Sequence, residues 1–435
     1  MGEGCLRLMK RILYVDVTTT WFIDLQTGIQ RVVRNVAEKL GECDGDIKLV
    51  VFTDGSYSVL PDSAFQTIGT PFTERLFGSE LARRRFFLSA LRPYLLLKAS
   101  SPKIIQRVIF ELSIFKKIRN YIKKQRVVPL DEEFNPEGNS LLILDLFVEK
   151  DHIAYISDLK NESSLQLIYF AYDVMPLETN YWDEIGREKF SRYFALAKMA
   201  KKIWSISEVT QNKVKDLLGE ISLDKKFEFK WLPPTVFPDC SHRFAEGENL
   251  TAHKFIFMVG SFAPLKNHLG LLSAIKDLQG EGLAIPKIVF VGGADHKPED
   301  LESAIEEIKK RGISVEKYVG IPNCCIGDLY KRAHFTVLPS FVEGFGLPIV
   351  ESLSYGVPVI TSDAASMGEL LSLPGTLGFS HDGNPSLKDV LRDVLSDERV
   401  VDELRVNAMG NIGNLGSWGE YAETLERFIF EETTA

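Results

Sequence analysis

Metal-ligating and redox patterns are missing from this sequence. Its seven histidines form no HxH and no HExxH, and its five cysteines (Cys5, Cys43, Cys240, Cys324, Cys325) form no CxxC. Neither a catalytic metal nor a disulfide framework is indicated, and an odd thiol fits a reducing, cytoplasmic home. No stretch approaches the roughly 18 uninterrupted apolar residues of a membrane helix. The apolar run Ile12–Val15 is too short for a signal peptide and reads as a first strand. Gly292-Gly293 is too little for a dinucleotide fingerprint. Asp44-Gly45-Asp46 spells a metal-binding DxD, but inside a polar turn.

Charge is present in quantity and unevenly spread. The chain carries −9 overall, yet Ala82–Arg126 holds thirteen Lys/Arg against the single acid Glu111, leaving about −21 for the rest. So acidic a chain is not a general nucleic-acid binder, whereas the basic segment suits a local anionic partner. Within it Phe86, Phe87, Leu91, Leu95 and Leu96 recur at helical spacing. That is the composition of a helix lying on an anionic membrane, and equally of a solvated helical face covering the first domain.

A chain of 435 residues is too long for one ordinary core and suits two domains. Strands Ile12–Val17, Ile47–Phe52, Leu141–Leu146, Leu167–Ala171 and Trp204–Ser207 are expected in the first half, with a helix over Ile29–Leu40. Trp231-Leu232-Pro233-Pro234 and the polar Asp239–Asn249 read as a linker. The second half alternates strands Phe255–Val259, Lys287–Val291, Val315–Val319, Phe335–Pro339 and Val357–Thr361 with helices, the mark of βαβ units in a parallel sheet. Domains are therefore expected at 1–238 and 239–415, followed in 416–435 by a final amphipathic helix over Trp418–Phe430.

The strongest chemical signal is Glu343-Gly-Phe-Gly-Leu-Pro-Ile-Val-Glu351, directly after an apolar strand. Gly344 and Gly346 allow close backbone approach and Pro348 suits a first helical turn. Exposed N–H groups and the helix dipole there favour an anion. Glu343 and Glu351 are placed to accept sugar and ribose hydroxyls, although acids at a helix start also serve as plain caps. Ser366-x-x-Glu369 reads as a capping box.

Taken together, Pro339-Ser340, Glu343-Gly344-Phe345-Gly346-Leu347-Pro348, Glu351, Gly356 and Pro358-Val359 resemble the glutamate–seven–glutamate signature of retaining glycosyltransferases of family 4. The resemblance implies an α/β fold of the GT-B type, two Rossmann-like, doubly wound parallel-sheet domains facing a cleft. It gives Glu343 and the loop Gly344, Phe345, Gly346 and Leu347 to the donor sugar, and Glu351 to the ribose. Val259-Gly260-Ser261-Phe262-Ala263-Pro264-Leu265-Lys266 resembles the family loop that holds the donor diphosphate. Gly260 and Lys266 inherit that role, and the arginine that relatives often carry before the lysine is absent. Thr27-Gly28-Ile29-Gln30-Arg31 resembles the family's first glycine loop, with Gly28 alone where many relatives have two glycines. In Tyr172-Asp173-Val174-Met175-Pro176, Tyr172 stands where relatives often have histidine. Asp173 is a polar contact, a general base or a turn cap, and Asp145 a weaker candidate of the same kind.

The resemblance points to bacterial mannosyltransferases of O-antigen and polysaccharide assembly. It implies a nucleotide-sugar donor, GDP-mannose as best guess, with UDP-sugars and deoxysugar nucleotides open. It further implies a lipid-linked glycan acceptor, no metal cofactor, and a cytoplasmic enzyme peripheral on the inner membrane face. Two other classes stay open: a GT-B-fold nucleotide-sugar epimerase, and a catalytically silent partner in an assembly complex.

Overall fold

The structure is a computed structural model that describes residues 11–23, 27–69, 133–238, 255–293 and 299–431. The basic segment 82–126 and the linker residues 239–249 lie outside the described residues. The first half contains β1 (Leu13–Asp16), α1 (Thr18–Phe22), α2 (Gly28–Leu40), β2 (Ile47–Thr53), β3 (Ser56–Val59), α3 (Ala64–Thr67), β4 (Ser140–Ile143), α4 (Lys150–Glu162), β5 (Gln166–Ala171), α5 (Met175–Glu178), α6 (Glu184–Met199), β6 (Lys202–Ser205), α7 (Glu208–Leu218) and β7 (Lys226–Phe229). The second contains β8 (Phe255–Val259), α8 (His268–Gly280), β9 (Lys287–Gly292), α9 (Glu299–Lys310), β10 (Val315–Val319), α10 (Asn323–Arg332), β11 (Phe335–Leu338), α11 (Leu347–Ser354), β12 (Val359–Ser362), α12 (Ser366–Leu370), β13 (Thr376–Phe379), α13 (Leu387–Ser396), α14 (Glu398–Asn411) and α15 (Trp418–Phe430).

These strands make two sheets, ordered β3-β2-β1-β4-β5-β6-β7 and β10-β9-β8-β11-β12-β13. The second is parallel throughout. Helices on both faces explain why Phe255, Ile256, Phe257 and Met258 form an unbroken apolar strand with no exposure at all. In the first sheet β3 runs antiparallel to β2, returning on it through Asp54-Gly55, both at positive φ, the tight hairpin turn such a pair favours. Among the described residues no helix is long and apolar enough to cross a membrane.

By compactness the chain divides into residues 1–169 with 195–201, and residues 170–194 with 202–435. In the second unit α15 packs on β6 and β7. Trp204, fully buried, donates its indole N–H to the Tyr421 hydroxyl at 2.6 Å, and burial raises the Tyr421 pKa. A capping box of Ser417 and Glu420 starts the helix. Its last carbonyls are answered by the buried Lys202 ammonium, which donates to Phe428 O at 2.9 Å and Ile429 O at 2.8 Å.

The first unit gathers buried polar groups beyond β1 and β4. Asp16 accepts from the Tyr57 hydroxyl at 2.6 Å and from Thr18 N and Oγ1 at 3.0 and 2.6 Å, and lies 3.0 Å from His152 Nε2. Phe147 and Phe52 stack on the His152 ring. Burial pushes the Asp16 carboxyl up, but His152, Thr18 and Tyr57 outweigh it and hold it below the usual range. Asp145 accepts from the backbone N–H groups of Thr20 at 2.5 Å and Leu146 at 2.9 Å. Burial, with the Asp16 charge adding to it, takes Asp145 up to about 7. A folded-state pKa above the unfolded value means that the native protein holds a proton the unfolded chain releases. Stability from this group is therefore full below about pH 4 and is lost as pH rises through 7, a difference on the order of 4 kcal/mol. Asp145→Asn should accordingly gain on the wild type in melting temperature as pH rises from 5 to 8. A difference that stays constant across those pH values would show that Asp145 is ionised throughout.

Candidate active site

The second sheet has its topological switch point between β8 and β11, and the loops leaving those two strands carry the predicted residues. After β8 the chain passes Gly260, makes one tight turn over Pro264–Lys266, and enters α8 through Asn267 at φ 58°. The Asn267 side chain accepts from Gly270 N at 3.1 Å and so ends the loop where α8 begins. A Cβ added to Gly260 would lie 3.6 Å from the Lys266 side chain, so the lysine stem runs beside bare backbone.

After β11 come Pro339 and Ser340, whose carbonyl accepts from Ser362 Oγ at 2.7 Å. Ser340 Oγ donates to Glu343 Oε1 at 2.7 Å, and the Lys266 ammonium donates to that same oxygen at 2.5 Å. Lys266 keeps 22% of its side-chain exposure and Glu343 12%. The structure thus joins the residues predicted from the two loops in one partly open ion pair.

Gly344 cannot be another residue. A Cβ there would stand 2.3 Å from Tyr172 O, and its own carbonyl accepts from Ser207 Oγ at 2.9 Å and Thr210 Oγ1 at 3.2 Å. Gly346 sits at φ 110°, open to glycine at no steric cost, and begins α11. Phe345 and Leu347 are buried. Asp173, half-buried, accepts from Met175 N at 3.0 Å. Burial raises its carboxyl to about 6, with Glu343 adding to the rise and Lys266 and Lys213 opposing it. Tyr172, at the position of the family histidine, is buried and packs its ring 4.9 Å from Phe170.

Other predicted residues stand apart. Glu351 lies one turn into α11, has no exposure and accepts from the Tyr330 hydroxyl at 3.1 Å. Gly28 opens α2 in the first unit. Asp145 is fully buried in the cluster described above. The Asp44-Gly45-Asp46 turn lies beside a cavity of about 550 Å³ in the first unit, lined among others by Glu38, Asp46, Lys48 and Asp62. No group of three metal-ligating side chains occurs among the described residues.

The Ser366/Glu369 capping box is not formed. Ala365 is the N-cap of α12, and Ser366 Oγ donates instead to Glu343 O at 2.8 Å, with Phe345 O at 3.2 Å. Glu369 caps a different helix, accepting from Val209 N at 2.6 Å and Glu208 N at 3.2 Å at the start of α7, and from Trp231 Nε1 at 2.8 Å. Trp231 is therefore tied into the site's surroundings and is not free linker. Sequence reasoning missed Ser207, Thr210 and Ser366, since a serine before or at a helix start reads first as a cap.

Residues 242–411 match the family model for glycosyl transferases group 1. The chain is 31% identical over 144 residues to the O-antigen chain mannosyltransferase B of Escherichia coli, covering 33% of this chain and 37% of that protein. To the O-antigen chain mannosyltransferase RfbU of Salmonella typhimurium it is 35% identical over 66 residues, 15% of this chain and 18% of the relative. The chain thus spans well under two thirds of either relative's length. Sucrose-phosphate synthase from Thermosynechococcus elongatus superposes over 97% of this chain and 98% of its own, with a TM-score of 0.60 at 13% identity. Anabaena Alr3699/HepE, solved in complex with UDP-glucose, does so over 96% and 99%, with a TM-score of 0.56 at 14% identity. Two Rossmann-like sheets with these superpositions define the GT-B fold of glycosyltransferases. Within that class the sequence resembles the bacterial O-antigen mannosyltransferases.

The electrostatics of Asp173 have a signed test. Its carboxyl should titrate near pH 6, read from the 13C shift of labelled aspartate. Lys266→Ala removes an opposing positive charge and should raise that midpoint, whereas Glu343→Gln removes a negative one and should lower it. A midpoint near 4, unmoved by either substitution, would place Asp173 in water and outside the influence of the pair.

Proposed function

We propose that this protein is a retaining hexosyltransferase that moves a sugar from a nucleotide-sugar donor, GDP-mannose first among the candidates, to a growing lipid-linked polysaccharide or O-antigen acceptor. One observation carries the reading: the Lys266–Glu343 pair at the switch point of the second sheet, beside a glycine loop that opens a helix. The relatives named as O-antigen mannosyltransferases support the sugar and the acceptor.

In this reading the donor diphosphate draws the Lys266 ammonium, and the amides of the glycine loop with the α11 dipole share the charge. Glu343, released from part of its ion pair, accepts hydroxyl hydrogen bonds from the donor sugar and orients it. The bond between the anomeric carbon and the phosphate oxygen breaks with its electron pair going to the diphosphate. An acceptor hydroxyl oxygen forms the new bond on the face the diphosphate leaves. Its proton passes to a diphosphate oxygen, or to Asp173, which burial makes a stronger base than an ordinary aspartate. Charge neutralisation in this scheme is assigned to Lys266 and not to a metal. Glu351, buried beneath Tyr330, is assigned to the ribose only through the family signature.

The test is a panel of nucleotide sugars, with and without glycan acceptor, in excess EDTA. Transfer from GDP-mannose at an undiminished rate in EDTA is the expected result. Donor turnover without any acceptor would replace transfer by isomerisation, and inertness to every donor would make the protein a binding partner. Lys266→Ala should reduce the rate about a hundred- to thousandfold, because one preorganised charge partner contributes on the order of 3–4 kcal/mol to a transition state.

The basic segment 82–126 is assigned to an anionic membrane surface, where each Lys or Arg contributes about 1 kcal/mol. Sedimentation with anionic vesicles should exceed that with neutral ones and weaken with salt. Unchanged binding after Arg83, Arg84, Arg85, Lys116, Lys117, Lys123 and Lys124 all become Gln would leave the segment a solvated face.

A further inference from the structure

Three successive carbonyls of the glycine loop are held by hydroxyls to which the proposed chemistry gives no part. Glu343 O and Phe345 O face Ser366 Oγ at 2.8 and 3.2 Å, while Gly344 O faces Ser207 Oγ and Thr210 Oγ1 at 2.9 and 3.2 Å. In a trans peptide the C=O and the following N–H point to opposite sides of the chain. The one Ser366 hydroxyl proton, directed at Glu343 O and reaching Phe345 O, keeps both carbonyls facing α12 and so turns the N–H groups of Gly344 and Gly346 away from it, both to the same side. Neither N–H has a protein partner among the described residues.

We propose that Ser366 is a positioning residue for the nucleotide: by holding the carbonyls of Glu343 and Phe345 it aims the Gly344 and Gly346 amides as a pair of donors at the diphosphate. The proposal rests on the reading of the Lys266–Glu343 crevice as the nucleotide-sugar site. Nothing else in α12 needs the hydroxyl. Ala365 is the N-cap, and Ser366, with no exposure, reaches across to another segment of chain. One turn later on the same helix, Glu369 grips the start of α7 at Glu208 N and Val209 N. The helix α7 in turn carries Thr210, and Ser207 caps it, so the two hydroxyls on Gly344 O are themselves fixed from α12. This five-residue helix thus sets the carbonyl directions of the loop from both sides, directly through Ser366 and indirectly through Glu369.

A glycine loop needs such fixing. Gly344 and Gly346 must be glycine, the one for its contact with Tyr172 O and the other for its positive φ, and glycine is the residue least able to hold its own peptide planes. Without outside restraint the two amides would have to be ordered at the moment of binding, and affinity would suffer.

The test compares the full chain with Ser366→Ala and Ser352→Ala by calorimetric titration with GDP and with UDP, alongside melting temperatures. Ser352 is equally buried and donates to Val357 O at 2.9 Å, remote from the loop carbonyls. Ser366→Ala should weaken binding of whichever nucleotide the wild type prefers by about tenfold, the worth of roughly one hydrogen bond. Ser352→Ala should lower the melting temperature and leave affinity intact. If Ser366→Ala does not fold, Ser366→Cys keeps the volume with a poor donor and should show the same loss of affinity. Wild-type affinity in the Ser366 variant, or equal losses in both variants, overturns the positioning role while leaving the donor site standing. A wild type that binds neither GDP nor UDP overturns the donor site itself.

Discussion

At the switch point of a parallel sheet two neighbouring strands send their chains to opposite faces, and the crevice between their carboxyl ends is left without a crossover above it. In the second sheet those strands are β8 and β11, and every group of the candidate site depends on that divergence. Lys266 arrives on the loop from β8 and Glu343 on the loop from β11, and their 2.5 Å ion pair spans the crevice. Either charge alone, so far withdrawn from water, would be costly; together, and with Ser340 donating to the same carboxylate oxygen, they are tolerated. The residual exposure of both side chains leaves the pair within reach of an incoming anion.

That placement also sets the chemistry of Asp173. It has no direct hydrogen bond to the pair, yet Glu343 pushes its carboxyl up and Lys266 pulls it down. A ligand that drew Lys266 to itself would withdraw part of that opposing charge, and Asp173 would become more basic as the crevice filled. Basicity that rises with occupancy suits a group receiving an acceptor proton. It follows from charge separations within one unit, without any movement of the backbone.

How much of this could be read from the chain varies with the kind of interaction. Phe255–Val259, Val315–Val319 and Trp418–Phe430 were expected with the bounds they have, because buried apolar runs and amphipathic periodicity are local signals. Of the four edge strands β10 was among these, but β3, β7 and β13 were not. In β7, Lys226–Phe229, no residue is fully buried, and β13 contains Gly378, so neither presents an apolar run. For β3 the Asp54-Gly55 turn was the signal available and passed unused. Glu343 and Gly344 stood out by residue type and spacing after a strand end, whereas Lys266 and Asp173 were singled out by the resemblance of their loops to those of the family. Ser207, Thr210 and Ser366 were not, because a hydroxyl at a helix start satisfies the same local pattern whether it caps its own helix or holds a loop distant in sequence. Glu369 shows the ambiguity: it is a cap, but of α7.

The two sheets share a topology and differ in what fills their switch points. Each places strands of opposite departure side by side, β1 with β4 and β8 with β11. In the first, the space beyond the strand ends is occupied by the protein's own groups. Asp16 and Asp145 are without exposure, His152 is 1% exposed and Tyr57 6%, and the carboxylates are already engaged by hydroxyls, backbone amides or the imidazole. Such a network would have to be dismantled before an anion could enter, leaving the buried Asp16 carboxylate to face a charge of its own sign. In the second, the corresponding space holds a lysine and a glutamate that remain partly open, and glycine amides with no partner among the described residues. The net field there includes a cation and a helix start, both favourable to phosphate. Among the described residues, one switch point is thus closed by a buried acidic cluster and the other left open around a cation, so an anion meets the favourable field at the second.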